Sequence, residues 1–198
     1  MRYLSLILIL TGCLSDHLIL RSKCDYLPLK EDNSWTYLHG SDTLLVAVVG
    51  DTTIEGLSCY IVVFGADYQF WHKDEDGVRC LSQFSIGPSG VEYTLESRYY
   101  PLFPAPFVDH RTFADSFSYR GLIEGDTVRF FHRLSGEILL EEQDRYLITL
   151  DERIEVKSTW LDSTILRKIS YLLAPDIGIE SFTDAEGKVW DLLTYSVR

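Results

Sequence analysis

The stretch Leu44-Leu45-Val46-Ala47-Val48-Val49, which ends at Gly50-Asp51, predicts a β fold. It is almost continuously apolar, rich in β-branched valine and of strand length, so it indicates a buried strand. Runs of the same type return at residues 57–64 and 78–84. The second of these follows Lys73-Asp74-Glu75-Asp76-Gly77, whose final glycine suits the positive φ of a hairpin turn. Short apolar segments separated by turns predict an antiparallel meander.

The rest of the chain from residue 26 onward has the same strand character. Trp35 and Tyr37 are two residues apart, which places them on one face of an early strand. Ser135-Gly136 is predicted to be a turn, and residues 137–156 fit either two strands around Glu142-Gln143-Asp144 or a helix. Further strands are predicted at residues 91–98, 127–134, 163–173, 177–183 and 188–197.

No convincing amphipathic helix interrupts these segments from residue 13 onward. We therefore predict a single all-β domain, either a strongly curved antiparallel sheet or an open β-barrel of about ten strands.

One proline-rich aromatic stretch stands apart from the strand pattern. Residues 100–107 contain three prolines, which remove ladder donors and exclude a central strand. An exposed apolar patch there would mark a surface for a ligand or a partner. The residues expected to form that surface are Tyr99, Tyr100, Leu102, Phe103 and Phe107.

The N-terminus has the pattern of a bacterial lipoprotein signal. Arg2 precedes an apolar run that is too short to cross about 30 Å of hydrocarbon but suits a secretory signal. The run ends in Leu10-Thr11-Gly12-Cys13, the form of a lipobox. In such a motif the cysteine thiol is acylated, for example with palmitate, and the cysteine then becomes the first residue of the mature protein. We therefore expect a signal peptide at 1–12, a lipid-anchored tether at 13–25 and the β-domain at 26–198.

This division implies a location and a set of partners. Acylated Cys13 would hold the protein in a bacterial cell envelope, and Leu14 after it makes the outer membrane the expected destination in a two-membrane cell. The formal charge of −12 disfavours nucleic-acid binding. The expected partners are the membrane, through Cys13, and an apolar ligand or another envelope protein.

The remaining cysteines are expected to be free thiols. Cys59 and Cys80 fall two predicted strands apart, nearly 10 Å, which is too far for a disulfide. Cys24 has no obvious partner once Cys13 is assigned to the lipid. No Cys-x-x-Cys or His-x-x-x-His spacing indicates a metal site, and no cofactor is expected.

Candidate catalytic groups are sparse. Asp109 and His110 could act as orienter and base if a serine such as Ser116 lay beside them, but the Gly-x-Ser-x-Gly elbow is absent. Asp74 and Asp76 resemble the start of a calcium loop without its remaining ligands. The acidic residues of 137–155 could supply a glycosidase carboxylate pair, although such a run is typical of the solvent face of a sheet.

Four motifs resemble those of uncharacterised bacterial lipoproteins. They are the opening Tyr26-Leu27-Pro28-Leu29 with Trp35-Thr36-Tyr37, the turn Asp74-Glu75-Asp76-Gly77-Val78, the hairpin Ala174-Pro175-Asp176-Ile177-Gly178, and the closing strand Trp190-Asp191-Leu192-Leu193-Thr194-Tyr195. Asp32 and Asp176 stand where that family usually has glycine, and Glu180 lies beyond its usual lysine. The resemblance implies a β fold more than an activity. By fold analogy, it extends to LolA/LolB-like lipoproteins, whose curved sheets hold an acyl chain.

These observations favour a non-catalytic binding or scaffolding protein, not an enzyme. The first alternative is a carrier of a lipid or acyl chain in a cleft of the curved sheet, which needs a cavity of about 300 Å³ or more. The second alternative is an envelope hydrolase that uses Asp109 and His110.

Overall fold

The computed structural model describes residues 25–87 and 90–198. Twelve antiparallel strands form one sheet, which confirms the predicted all-β class and exceeds the expected strand number by two. The strands are β1 Ser34–His39, β2 Asp42–Ile54, β3 Leu57–Phe64, β4 Asp67–Asp74, β5 Gly77–Ile86, β6 Tyr93–Pro104, β7 Arg111–Ile123, β8 Asp126–Leu140, β9 Tyr146–Lys157, β10 Asp162–Ala174, β11 Gly178–Thr183 and β12 Val189–Ser196. A short 3₁₀ helix, Glu142–Asp144, separates β8 from β9.

The sheet curves into a nearly closed barrel. Its order is β6-β5-β4-β3-β2-β1-β12-β11-β10-β9-β8-β7. Among the strands of the described residues, β1 and β12 are the one hydrogen-bonded pair that is not consecutive in sequence. The two edge strands, β6 and β7, lie side by side and are linked by side chains. Arg98 of β6 binds the Asp115 carboxylate at 2.7 Å and the Ser116 carbonyl oxygen at 3.2 Å.

The strands differ in length, and this opens one side of the barrel. We call the end where β1 begins the upper end. The β4–β5 ladder stops at Trp71–Cys80, whereas β5 continues to Ile86. The β10–β11 ladder begins at Ser170, whereas β10 begins at Asp162. Below Cys80 of β5 and Ser170 of β10, these two strands have lost their pairing with β4 and β11, and the wall is interrupted between them.

Two hydrophobic clusters fill the interior. The upper cluster is centred on large buried side chains such as Trp71, Tyr37 and Phe103. The lower cluster lies where the longer strands extend beyond the shorter ones. Its buried members are Ile86, Leu95, Ile123, Val128, Phe130, Ile154 and Val156.

The predicted face of β1 is confirmed, since Trp35 and Tyr37 are both buried. Residues 137–156 form two strands, so the helix alternative is wrong. The predicted turn at Ser135-Gly136 is also wrong, because both residues lie within β8. The Phe113 ring lies 2.6 Å from the position that a Cβ on Gly136 would take, so an aromatic ring covers this glycine inside the strand.

The strand predicted at residues 91–98 is observed at Tyr93–Pro104 and therefore includes part of the proline-rich stretch. The exclusion of a central strand is confirmed, since β6 is an edge of the sheet, where a missing amide donor is tolerated. The cysteine geometry is also as predicted. Cys59 on β3 and Cys80 on β5 have β4 between them, and both are free thiols. Cys13 and Cys24 lie outside the described residues.

Candidate functional site

A cavity of about 740 Å³ lies at the upper end of the barrel and is here called the upper cavity. Its wall is mainly apolar and is formed by the first described residues 25–27, the β4–β5 turn and the segment after β6. Phe107 packs on Tyr26 and Tyr146, with ring centroids 5.2 Å and 5.4 Å apart respectively. The aromatic side chains fix one side of the cavity, as edge-to-face and stacked rings do.

Lys73 lies in another part of the upper-cavity wall. Its ammonium group binds the Asp25 carboxylate at 2.8 Å and the Leu27 carbonyl oxygen at 2.6 Å. The segment that follows the predicted tether is therefore held against the β4–β5 hairpin at the rim of the upper cavity. The Leu27 carbonyl oxygen belongs to a buried residue and needs a hydrogen-bond donor, and Lys73 supplies one.

The five residues predicted to form a ligand or partner surface do not lie on one continuous surface. Phe103 and Phe107 line the upper cavity, with Phe103 buried and Phe107 half-buried. Tyr100 and Leu102 are buried on the inner face of β6. Tyr99 points to the outer face, where its hydroxyl lies 3.0 Å from the Cys59 sulfur. The lipobox residues Leu10, Thr11, Gly12 and Cys13 lie outside the described residues.

A second feature is a layer of charged side chains between the two hydrophobic clusters, here called the polar layer: Glu96, His132, Glu152 and Arg167. His132 donates from Nδ1 to Glu96 at 2.6 Å and from Nε2 to Glu152 at 3.1 Å. Arg167 donates from Nη1 to the second oxygen of Glu152 at 3.1 Å. The Tyr100 hydroxyl donates to the other oxygen of Glu96. Glu96 and His132 are almost fully buried.

The partners of His132 determine its protonation. Burial alone would lower the pKa of His132, but its hydrogen bonds to Glu152 and Glu96 outweigh this and raise the pKa to about 9. Burial likewise opposes ionisation of Glu152, yet His132 and Arg167 together lower the pKa of its carboxyl group. His132 is therefore a cation at neutral pH. Burial and the neighbouring Glu96 raise the pKa of Tyr100, so that its hydroxyl stays protonated.

A cleft of about 340 Å³ opens beside the polar layer, here called the side cleft. It lies at the interruption between β5 and β10 and contacts the outer part of the polar layer. Arg167 and Glu152 form part of its wall, together with Gln69 and Ser82. Apolar residues form much of the remaining lining, among them Leu102, Leu134, Leu150, Ile169 and Tyr171.

The polar layer was not predicted from the sequence, although strand alternation carries a signal for it. In β8, the inward positions are apolar except for His132, which stands between Phe130 and Leu134. In β9, Glu152 interrupts the inward series in the same way, between Leu150 and Ile154. A charged residue in phase with buried neighbours indicates an interior polar site. Reading these acids as one solvent-facing set is therefore wrong for Glu152.

The predicted catalytic pair has little of the geometry that catalysis needs. The side chain of His110 is 77% exposed, and its Nε2 lies 3.8 Å from the Asp109 carboxylate. A base this exposed to bulk solvent is not held in a fixed orientation, which argues against a hydrolase at this position. In the predicted calcium-like turn, Asp74 and Asp76 bind Arg79 at 3.0 Å and 3.3 Å. Over the described ranges, no group of three or more His, Cys, Asp and Glu side chains could hold a metal ion.

No protein-family model, no curated protein and no solved structure matches this chain. Within residues 25–87 and 90–198, no helix has the length and apolar character that crossing a membrane requires.

Proposed function

We propose that this chain is a lipid-anchored protein of the bacterial cell envelope whose β-domain binds an apolar ligand without catalysing a reaction. The supporting observation is the upper cavity, whose volume of about 740 Å³ exceeds the roughly 300 Å³ at which small-molecule sites begin. Its mainly apolar lining suits a lipid or an acyl chain more than a polar metabolite.

The position of the upper cavity supports the link to the anchor. Residues 25–27 line its rim, and only eleven residues, 14–24, separate the proposed acylated cysteine from that rim. A chain of this length reaches at most about 40 Å, so the cavity would remain close to the membrane surface. A ligand leaving the bilayer would have a short path to the cavity.

Binding is tested with a fluorescent fatty acid and the matched variants Val108→Glu and Leu122→Glu. Val108 lines the upper cavity and is 51% exposed, whereas Leu122 is 73% exposed at the far end of β7. A carboxylate at 108 introduces charge into the apolar site and should weaken binding by about tenfold or more, since burying a charge without a partner is costly. Leu122→Glu should bind as the wild type does. Lack of binding by the wild type, or equal binding by both variants, would contradict the proposed ligand site.

The anchor is tested separately by fractionation of cells that express the full chain or Cys13→Ser. The proposal expects the full chain as a cleaved protein in the membrane fraction, because acyl chains supply the membrane affinity. The variant is expected either as a soluble protein or as a longer precursor that keeps residues 1–12. Equal distribution of the two proteins would remove the anchor from the proposal and leave the ligand site to be judged on its own test.

A further inference from the structure

We propose that the side cleft is a second binding site, for a small organic carboxylate held by Arg167. The site is distinct from the upper cavity. The large side chains of the upper cluster, among them Trp71 and Phe103, fill the interior above it. The proposal goes beyond the binding of an apolar ligand at the upper end of the barrel.

Arg167 supplies the charge for this site. Its side chain is 46% exposed at the mouth of the side cleft. Among the described residues, its hydrogen-bonding partner is Glu152, which takes one of the five guanidinium N–H groups. The remaining N–H groups form a planar fork that matches a carboxylate in two parallel hydrogen bonds.

Each oxygen of Glu152 already accepts a hydrogen bond from a neighbouring side chain, and Glu152 uses a single N–H group of Arg167. One accepts from His132 and the other from Arg167, and the lowered pKa keeps Glu152 ionised. Glu152 therefore orients Arg167, and the rest of the guanidinium fork remains open to the side cleft. Gln69 adds a further donor, since its amide oxygen accepts from the Trp71 indole at 2.9 Å and its NH₂ group remains unused among the described residues.

The remainder of the wall determines the rest of the ligand. Leu134, Leu150 and Ile169 present aliphatic surface beside the charged mouth. A ligand that matches both parts has a carboxylate group at one end and a short apolar body at the other. A volume of about 340 Å³ is enough for a compact carboxylate but small for a long-chain lipid.

The probe is hexanoate, compared with 1-hexanol, which has the same apolar body without the charge. Binding to the full chain is followed by the amide resonances of Ser82, Arg167 and Ile169. Hexanoate should shift these resonances in a saturable manner, and hexanol should bind at least about tenfold more weakly, as expected when a charge-assisted hydrogen bond is lost. Equal binding of the two probes, or no binding of hexanoate, would overturn the proposal.

Arg167→Met removes the guanidinium and should weaken hexanoate binding by about ten- to a hundredfold. The matched control is Arg153→Met, because Arg153 also lies on a strand of this sheet, pairs with a glutamate and is 57% exposed, but points to the outer face. The control should bind as the wild type does. Equal weakening in both variants, or none in Arg167→Met, would overturn the proposal.

Arg167→Lys keeps the positive charge but removes the planar fork of the guanidinium group. It is the control for the case in which Arg167→Met fails to fold. It should retain weakened binding between the wild type and Arg167→Met. Val108→Glu should leave hexanoate binding unchanged, and Arg167→Met should leave fatty-acid binding in the upper cavity unchanged. The failure of one site is thereby distinguished from the failure of the other.

Discussion

The upper and lower parts of the domain differ in how their interiors are closed. In the upper part, all twelve strands contribute to the wall, and the interior is apolar. In the lower part, the longer strands continue alone, and a separate, smaller hydrophobic cluster lies between them. Charged side chains occupy the boundary, where the wall is interrupted between β5 and β10. The interior charge therefore lies at the level where the barrel wall is interrupted, with Glu96 and His132 buried and Arg167 open to water.

The largest effect is expected from removing the central cation of this boundary. His132→Leu leaves Glu96 buried without its imidazole partner and takes one hydrogen bond from Glu152. Loss of one member of a buried charged network should lower the free energy of unfolding by about 3–5 kcal/mol, measured by urea titration. His110→Leu, at a 77% exposed side chain, should change it by less than about 0.5 kcal/mol. Similar values for both variants would show that the polar layer does not bear on stability.

The next effect is a loss of stability in mild alkali. The folded-state pKa of His132 is about 9, above the ordinary value of 6.5, so folding favours its protonated form. Its contribution is fully present below pH 6.5 and is lost as the pH rises through about 9. The free energy of unfolding should fall by roughly 2–3 kcal/mol between pH 6 and pH 10, relative to the same change in His132→Leu. Parallel pH profiles for the two proteins would contradict the protonated state of His132.

A matched pair of cavity variants compares the two hydrophobic clusters directly. Val62 in the upper cluster and Val156 in the lower cluster are each 1% exposed. Val62→Ala should cost about 2 kcal/mol, because the large rings around Val62 in the upper cluster cannot move into the space left by two methyl groups. Val156→Ala should cost about 1 kcal/mol, since the smaller lower cluster can relax. Denaturant titration of both variants measures the difference, and a larger cost at Val156 would reverse this comparison.

The smallest effect is expected at the side-chain contact between the two edge strands. Arg98 and Asp115 form a half-exposed ion pair at 2.7 Å, and the Arg98 guanidinium lies 4.8 Å from the centroid of the Tyr100 ring. The Arg98–Asp115 coupling energy should be about 0.5–1 kcal/mol in a double-mutant cycle with Arg98→Met and Asp115→Asn. A coupling energy near zero would mean that the contact does not hold β6 to β7.

Much of the fold could be predicted from the sequence, because strand length, alternation and turn residues are local signals. The strands around Val46, Val62 and Val78 follow from those signals alone. Gly136 misled the prediction, because the residue that makes a glycine acceptable in β8 is Phe113 of the neighbouring strand. That compensation is non-local and leaves no mark in the sequence around Gly136.

The candidate sites were less predictable than the strands. The sequence marks Phe103 and Phe107 as apolar residues in a proline-rich stretch, but it does not show that they line a cavity. That position depends on residues 25–27, which are distant in sequence and form part of the same wall. The phase of His132 and Glu152 within their strands was readable from alternation. Their meeting with Glu96 depends on the barrel bringing β6 close to β8, which local patterns do not specify.

The intact mass of the exported chain is the decisive test of the proposed lipid anchor at Cys13. The account predicts a mature protein that begins at Cys13 and is heavier than its polypeptide by a glyceride and its acyl chains. A chain that keeps residues 1–12, or one that begins at an unmodified Cys13, would contradict the account.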